Sequence, residues 1–282
     1  MLKLPPDFIF SQSNLHDYLE CPRRFYLRYV RRLLWPSVVQ DGNFEAEAHL
    51  LMAQAFHRLA QQKATAIPAE KLESIISTQP FDLQRWWQSF INWWDAAQAD
   101  ELQGERYPEF VLTASLGNSR LIAKYDLLVV HPDRTVSIYD WKTVRQRPPS
   151  SALRQHVQSR LYPYLLAKSG STLNQGQPFL PQQIQMTYWF TAEPLDPEQF
   201  TYSAEQLQAD EAYLTSLTED ILGRTEEDFP LTFDENRCAR CVYRTYCSRA
   251  GGETAPSAAE DESDRPPLQF PEDWEQIGEI EY

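Results

Sequence analysis

The chain has 282 residues, of which 42% are hydrophobic and 13% aromatic, and it carries a formal net charge of −14. These values describe a folded protein with a sizeable core and exclude a disordered chain. The sequence contains no apolar run long enough for a signal peptide or a membrane span, so we expect a cytoplasmic protein with no membrane partner.

The negative charge is concentrated at one end. Residues 251–282 hold ten acidic residues and one arginine, a net charge of −9, which leaves −5 for the other 250 residues. We expect this tail to be disordered; binding of a basic partner and shielding of a DNA-binding groove are its two alternative roles. Local basic clusters can still bind phosphate. The candidate DNA contacts in such clusters are Arg23, Arg24, Arg145 and Arg147.

The first hundred residues predict helices. Apolar spacing and capping residues indicate helices over 11–34, 45–63 and 81–98, the first of them interrupted at Pro22. The last helix has an aromatic stripe, which we expect to pack in the core rather than to stack on bases: Trp86, Phe90, Trp93 and Trp94.

The pattern then changes to strands. Segments 106–116, 120–130 and 134–144 are rich in β-branched and aromatic residues, and the turn HPDR separates the last two. A helix kinked at Pro163, a further strand and a last helix are expected to follow, over 151–168, 183–192 and 203–222. Strands flanked by helices predict an α/β core.

The stretch IYDWKT places a carboxylate and an amine together. Side chains at i and i+2 share a strand face, so Asp140 and Lys142 project together while Trp141 projects to the other side. Asp126 interrupts the apolar segment KYDLLVV, where a charge needs a partner or a metal. If these strands form a hairpin around Asp133, Asp126 faces Asp140 across the pair.

Two carboxylates and a lysine suit metal-assisted hydrolysis. Carboxylate oxygens bind Mg²⁺ or Mn²⁺, which polarises a phosphate and lowers the pKa of bound water, and an ammonium can stabilise the developing charge. His57 on the preceding helix is a candidate additional ligand. Glu109 is either a further acidic group or an edge-strand charge. Gln158 and Tyr162 are spaced i, i+4 and so share a helix face.

Read in chain order, this set is His, Asp, Asp-x-Lys and Gln-x-x-x-Tyr, and it resembles the RecB-like branch of the PD-(D/E)XK nuclease superfamily. The resemblance covers roughly residues 10–248 and implies a restriction-endonuclease-like core with a mixed central sheet flanked by helices. A helical insertion is expected between the first helix and the sheet. The branch usually has a glycine three residues before the aspartate, where this chain has Ala123.

The resemblance also implies roles for the site residues. Asp126 and Asp140, assisted by His57, would bind Mg²⁺ or Mn²⁺, and Lys142 would position the attacking water. Two further catalytic residues would hold the substrate or support the lysine: Gln158 and Tyr162.

The four cysteines suggest a second site. Cys238, Cys241 and Cys247 form a C-x2-C-x5-C pattern, and Cys21 lies far upstream in the run CPRRF. In a reducing cytosol such cysteines are metal ligands or buried thiols more often than disulfides, and both zinc and an iron–sulfur cluster use four cysteines. The N-terminal stretch resembles the iron–sulfur members of the same branch, such as the CRISPR-associated RecB-like exonucleases and the AddB-type subunits. This resemblance implies a [4Fe–4S] cluster that joins the N- and C-terminal segments of the nuclease domain, with Cys21 as fourth ligand; zinc is the alternative.

Two classes of function follow. The resemblance implies a Mg²⁺- or Mn²⁺-dependent deoxyribonuclease, preferably an exonuclease on DNA ends or single strands, in DNA repair, recombination or CRISPR-type processing. The alternative is a catalytically silent DNA-binding or scaffold subunit of a helicase–nuclease complex. The chain has no P-loop, so a helicase would be a separate partner. We expect a nuclease domain over 1–250, with a mostly helical part (45–100) and a sheet core (105–200), followed by the tail.

Overall fold

The computed structural model describes residues 4–5, 8–33, 44–239 and 241–249. The acidic tail over 251–282, and the roles expected for it, lie outside the described residues. No helix within the described ranges is both long enough and apolar enough to cross a membrane.

The described residues form helices and strands in the expected alternation. The helices are α1 (Gln12–Glu20), α2 (Pro22–Phe25), α3 (Phe44–Ala64), α4 (Ala69–Ile76), α5 (Phe81–Ala97), α6 (Ser150–Gln155), α7 (Val157–Ser169), α8 (Ala204–Gly223) and α9 (Glu235–Ala239). A π-helical turn spans Tyr26–Val30, and 3₁₀ turns span Gly170–Leu173 and Pro181–Gln183. The strands are β1 (Phe10–Ser11), β2 (Glu105–Leu116), β3 (Ser119–Val130), β4 (Val136–Lys142), β5 (Ile184–Phe190) and β6 (Glu198–Thr201).

Strand β3 organises a mixed sheet. It pairs with β2 in antiparallel orientation along its length, so this neighbour occupies one of its two edges. The other edge is shared: the start of β3 pairs with β1 in parallel, and its end pairs with β4 in antiparallel orientation. Strand β4 then pairs in parallel with β5, which pairs with β6 in antiparallel orientation. The α/β fold with a mixed central sheet is therefore confirmed.

Helices cover both faces of this sheet. On one face, side chains of α1, α2, α7 and α8 form the first core cluster with alternate residues of the strands. On the other face, α3, α4 and α5 form the second core cluster with residues such as Trp141 and Trp189. The aromatic stripe of α5 belongs to this second cluster: Trp86, Phe90 and Trp94 are buried in it, and Trp93 packs against it. Its interpretation as core is confirmed.

Two helical segments are divided differently from the expectation. The segment over 11–34 comprises α1, α2 and the π-helical turn, because Cys21 has an extended backbone between Glu20 and Pro22 (φ −162°, ψ 110°). The segment over 151–168 is divided at His156, which is also extended and caps α7 by accepting a hydrogen bond from Gln158 N at 3.4 Å. Helix α7 continues through Pro163, whose neighbours on both sides are buried. Pro163 therefore does not end the helix, and the kink expected there stays a prediction.

Gly104 provides a test of the sheet geometry. It precedes β2 with φ +144°, and a Cβ added there would lie 2.2 Å from the carbonyl oxygen of Val130. We expect Gly104→Ala to lower the free energy of unfolding by about 1–3 kcal/mol, because both the backbone conformation and the contact exclude a side chain. Urea unfolding measures this loss.

The matched control is Gly223→Ala at the end of α8, where an added Cβ meets no atom within 4 Å. We expect a change of no more than about 1 kcal/mol there, in the stabilising direction, because alanine favours helix. Equal stabilities for the two variants would contradict the described approach of Gly104 to β3.

Candidate active site

The site lies where β3 and β4 separate. The last pair of their ladder is Leu127↔Tyr139, and the register is centred on Asp133. In this register Asp126 stands opposite Asp140, one position beyond the last pair. The expected hairpin register is therefore confirmed. Beyond the ladder, the backbone N–H of Trp141 donates to Asp126 Oδ2 at 2.8 Å. A side-chain carboxylate thus takes the place of a backbone acceptor at the point where the strands part.

Asp140, Lys142 and Gln158 form a buried polar network on one side of this opening. Lys142 Nζ lies 2.6 Å from Asp140 Oδ2 and donates to Gln158 Oε1 at 3.0 Å. Gln158 Nε2 donates to Asp140 Oδ1 at 2.5 Å, so this one amide contacts both charged groups. Trp141 packs in the second core cluster, on the opposite face. The predicted alternation along YDWK is confirmed.

Tyr188 is a member of this site that the sequence did not reveal. Strands β4 and β5 pair with Asp140 opposite Tyr188, and Lys142 Nζ lies 5.3 Å from the centre of the Tyr188 ring. A cation above an aromatic face is stabilised by the ring's electron distribution. The sequence carries no signal for this contact, because the register between two strands 40 residues apart depends on the whole fold.

His57 approaches Asp126 from the other side of the sheet. Its Nδ1 lies 3.3 Å from Asp126 Oδ1, and the imidazole is 9% exposed. Helix α3 supplies this histidine as one of the few polar residues on its buried surface. The structure therefore brings together His57 and Asp126, as the motif order suggested, although their roles in metal binding remain predictions.

Tyr162 lies on the same helix as Gln158 and faces the buried interior. Its ring centre is 4.9 Å from that of Tyr125, whose hydroxyl donates to the Tyr162 carbonyl at 2.9 Å. Burial raises the pKa of the Tyr162 phenol, and the charges of Asp140 and Asp126 raise it further. The hydroxyl therefore keeps its proton at neutral pH, so it can donate a hydrogen bond but cannot act as a base.

Glu109 adds a third carboxylate beside Asp126. It lies on β2 between the pairs Pro108↔Leu127 and Phe110↔Tyr125, and so stands across from Asp126. Burial raises the pKa of Glu109, and the charge of Asp126 raises it further. Lys124 forms an ion pair with it. The sequence left Glu109 open between a site residue and an edge charge, and the described geometry favours the site.

The backbone is unusual at this point. Glu109 has φ +54° within a strand, a conformation that L-residues rarely adopt outside turns and functional sites. On β3, Ala123 and Tyr125 pack in the first core cluster, whereas Leu127 and Val129 pack in the second. A regular strand would keep alternate residues on one face. Asp126 therefore lies where β3 changes face.

The donor set of this site suits a hard divalent cation. The carboxylates of Asp126 and Glu109 repel each other, and the Lys142 ammonium already serves as a counter-charge for Asp140. Within the described ranges, no group of three or more His, Cys, Asp or Glu side chains is placed so that it could hold a metal ion. The chemistry of the oxygen donors, with an imidazole beside them, nevertheless fits Mg²⁺ or Mn²⁺.

The candidate DNA-contacting arginines do not form one surface. Arg147 lies between the carboxylates of Glu193, Asp196 and Glu198, a negatively charged environment that disfavours phosphate. Arg145 is exposed in the segment that follows β4.

The other two arginines lie at the N-terminal helices. Arg24 Nε is 2.8 Å from the buried Asp17, and Arg23 Cζ lies 5.6 Å from the centre of the Tyr26 ring. Their charges act on cysteines: Arg24 lowers the pKa of Cys241, and Arg23 lowers that of Cys247, in both cases against the larger effect of burial. The N-terminal basic cluster therefore belongs to the cysteine region.

The four cysteines lie near one another. Cys21 and Cys238 are buried, whereas Cys241 and Cys247 are half-buried, and all four are thiols. Burial raises the pKa of Cys241, and Cys21 and Cys247 raise it further. Burial likewise raises the pKa of Cys247, and Cys21 and Cys238 raise it further. Folding thus brings Cys21 to the C-terminal three, although the thiols do not form a closed ligand set.

Contacts without cysteine also join the two ends of the described chain. Phe229 stacks on Tyr26 with ring centres 5.2 Å apart. Arg237 Nη1 donates to the Glu20 carbonyl at 3.2 Å, and its guanidinium lies 3.1 Å from the Glu20 carboxylate. The cysteine region is therefore a packed junction between the first helices and the C-terminal segment.

Comparison with known proteins identifies the class. The model of the PD-(D/E)XK nuclease superfamily matches residues 9–248, and the chain belongs to this superfamily. Members of the superfamily are nucleases that generally use divalent metals. No curated protein matches the chain.

Two solved structures match the chain over most of its length. A protein described as "Putative exonuclease" from Eubacterium rectale has a TM-score of 0.50 and 10% identity, over 89% of this chain and 91% of that one. The structure of SSO0001 has a TM-score of 0.40 and 11% identity, over 85% of each chain.

Gln158 allows a test of the buried network. We expect Gln158→Leu to lower kcat for nucleic acid cleavage about 10- to 100-fold, because hydrogen bonds to charged groups contribute about 1.5–3 kcal/mol. Asn174→Leu is the control, since Asn174 is also a buried amide but lies outside the site. A Gln158→Leu protein that is stable and cleaves as fast as wild type would show that this amide does not hold the charged pair.

Proposed function

We propose that the chain is a divalent-metal-dependent deoxyribonuclease that degrades DNA from its ends. The observation that carries the proposal is the convergence of Asp126 with the Asp140–Lys142–Gln158 network at the point where β3 and β4 separate. Two carboxylates and an ammonium within one buried opening match the chemistry of phosphodiester hydrolysis.

Each side chain has a role in this proposal. Asp126 and Asp140, with His57 beside Asp126, would hold Mg²⁺ or Mn²⁺, which when bound polarises the phosphate and lowers the pKa of water. Lys142 orients the attacking water and offsets negative charge on the phosphate oxygens. Gln158 keeps the lysine beside Asp140, and Tyr162 provides a hydrogen-bond donor near both aspartates.

Two arguments support DNA ends as the substrate. The order of the site residues resembles the RecB-like branch, whose usual substrate is DNA with free ends. The fold is similar to that of the E. rectale protein, which carries the description "Putative exonuclease". Arg145, exposed just after β4, supports contact with a phosphate near the opening.

The substrate and the catalytic residues can be tested together. We expect end-labelled linear DNA, both single- and double-stranded, to be degraded with Mn²⁺ or Mg²⁺ and to survive with EDTA. Asp140→Asn and Lys142→Ala should each lower the rate by about 10²-fold or more, because the first removes a carboxylate that would hold the cation and the second removes the ammonium that offsets charge on the phosphate.

Matched controls are Asp82→Asn and Lys71→Ala, which change exposed residues of α5 and α4. Closed circular DNA should resist cleavage, and its digestion would make the enzyme an endonuclease. Unchanged rates in the two site variants would refute the catalytic assignment. Metal-independent DNA binding without cleavage by the wild type would favour the scaffold alternative.

We further propose that Cys21, Cys238, Cys241 and Cys247 hold a [4Fe–4S] cluster at the junction of the chain ends. The mutual proximity of the four thiols supports this ligand set, and four cysteines are the usual ligands of such a cluster. Zinc is the competing occupant. The cluster would stabilise the fold and take no part in cleavage.

Anaerobic purification with analysis of iron, sulfide and zinc tests this proposal. We expect iron and sulfide in equal amounts, and we expect Cys241→Ser to lose both. EDTA should abolish cleavage while the visible absorbance of the cluster persists. Zinc without sulfide would establish the alternative site.

A further inference from the structure

Helix α3 carries a second buried histidine, His49, two turns before His57. His49 is 7% exposed, and its Nε2 lies 2.9 Å from the carbonyl oxygen of Thr143. A carbonyl oxygen only accepts hydrogen bonds, so Nε2 carries the proton and donates. The imidazole also packs edge-on against Trp86, with ring centres 5.2 Å apart. Both a polar and an aromatic contact thus hold the histidine.

The residue that accepts this bond directly follows Lys142. The Lys142 carbonyl accepts from Thr191 N at 2.9 Å, which continues the pairing of β4 with β5 by one bond. His49 supplies a donor for the next carbonyl, that of Thr143, which is 2% exposed. The imidazole therefore holds the backbone as it leaves β4.

One helix consequently contacts both strands at the opening. His57 contacts Asp126 on β3, and His49 contacts the chain just beyond β4. The two histidines are eight residues apart, a rise of about 12 Å along an α-helix. Because a helix is stiff over this length, α3 can fix how far β3 and β4 stand apart.

We propose that His49 is a positioning residue for Lys142, an inference that rests on the proposed nuclease function. Lys142 must keep its ammonium near Asp140 and Gln158, at 2.6 and 3.0 Å. The position of that ammonium depends on where the Lys142 backbone leaves the strand. By fixing the next carbonyl, His49 fixes this exit and acts on the reaction only through the lysine.

Three substitutions of His49 test whether the presence and the position of the N–H donor matter. His49→Gln keeps an N–H donor at about the distance of Nε2 from the backbone, whereas His49→Asn carries the same amide one methylene closer to the backbone. His49→Phe keeps an aromatic ring for Trp86 but has no donor. His131→Phe is the control, because His131 Nδ1 contacts the Gln103 carbonyl at 2.8 Å, beyond the opposite end of β4.

We expect His49→Asn and His49→Phe to lower kcat for DNA cleavage about 10- to 100-fold with little change in KM, because the lost bond affects the lysine and not substrate binding. His49→Gln should restore most of kcat, and His131→Phe should leave it unchanged. Comparable kcat in the Gln and Asn variants, or equal losses in His49→Phe and His131→Phe, would overturn the proposal.

Amide hydrogen exchange provides a readout that does not depend on activity. We expect faster exchange over residues 140–144 and 189–192 in His49→Asn than in His49→Gln, measured where both are folded. Equal exchange in these two variants would overturn the role of His49 even if wild-type protein cleaves DNA. Absence of wild-type cleavage with the expected exchange difference would instead refute the proposed function and leave the His49 contact supported.

Discussion

The carboxylate of Asp126 allows two neighbouring strands to part without leaving a backbone donor unsatisfied. Its Oδ2 accepts the hydrogen bond of Trp141 N at 2.8 Å where the β3–β4 ladder has ended. A buried N–H without an acceptor would cost about 1–3 kcal/mol. A side chain at position 126 that cannot accept this bond would therefore favour further pairing of β3 with β4 or a distorted strand. The opening that holds the polar network depends on this bond.

The other contacts of the site stabilise that opening from both faces of the sheet. Helix α7 brings Gln158 to Asp140 and Lys142 from the face of the first core cluster. Helix α3 brings His57 and His49 from the face of the second. Buried charge is costly unless it is paired. Here each charged group of the site on β3 or β4 lies against a side chain supplied by a helix. The chemistry and the packing are therefore coupled, while the cysteine region joins the chain ends separately.

Local periodicity predicted the parts of this architecture that depend on neighbouring residues. The shared face of Asp140 and Lys142 follows from strand geometry, and the hairpin register follows from the position of the turn at Asp133. Contacts that depend on tertiary packing were not predictable: no local rule indicates that His49 reaches Thr143 or that Glu109 adopts φ +54°. The motif order nominated the remaining site residues by resemblance, and their roles stay predictions. A basic stretch, in contrast, does not reveal which carboxylates fold against it, as Arg147 shows.

The claim that Asp126 and Asp140 face one opening and share one cation is tested most directly by Mn²⁺ binding, measured by calorimetry or electron paramagnetic resonance without DNA. We expect wild-type protein to bind Mn²⁺, and we expect Asp126→Asn and Asp140→Asn each to weaken this binding. Because both carboxylates hold the same cation, the double variant should lose less binding free energy than the sum of the two single losses. Mn²⁺ affinity that is unchanged in both single variants, in proteins as stable as wild type, would contradict it.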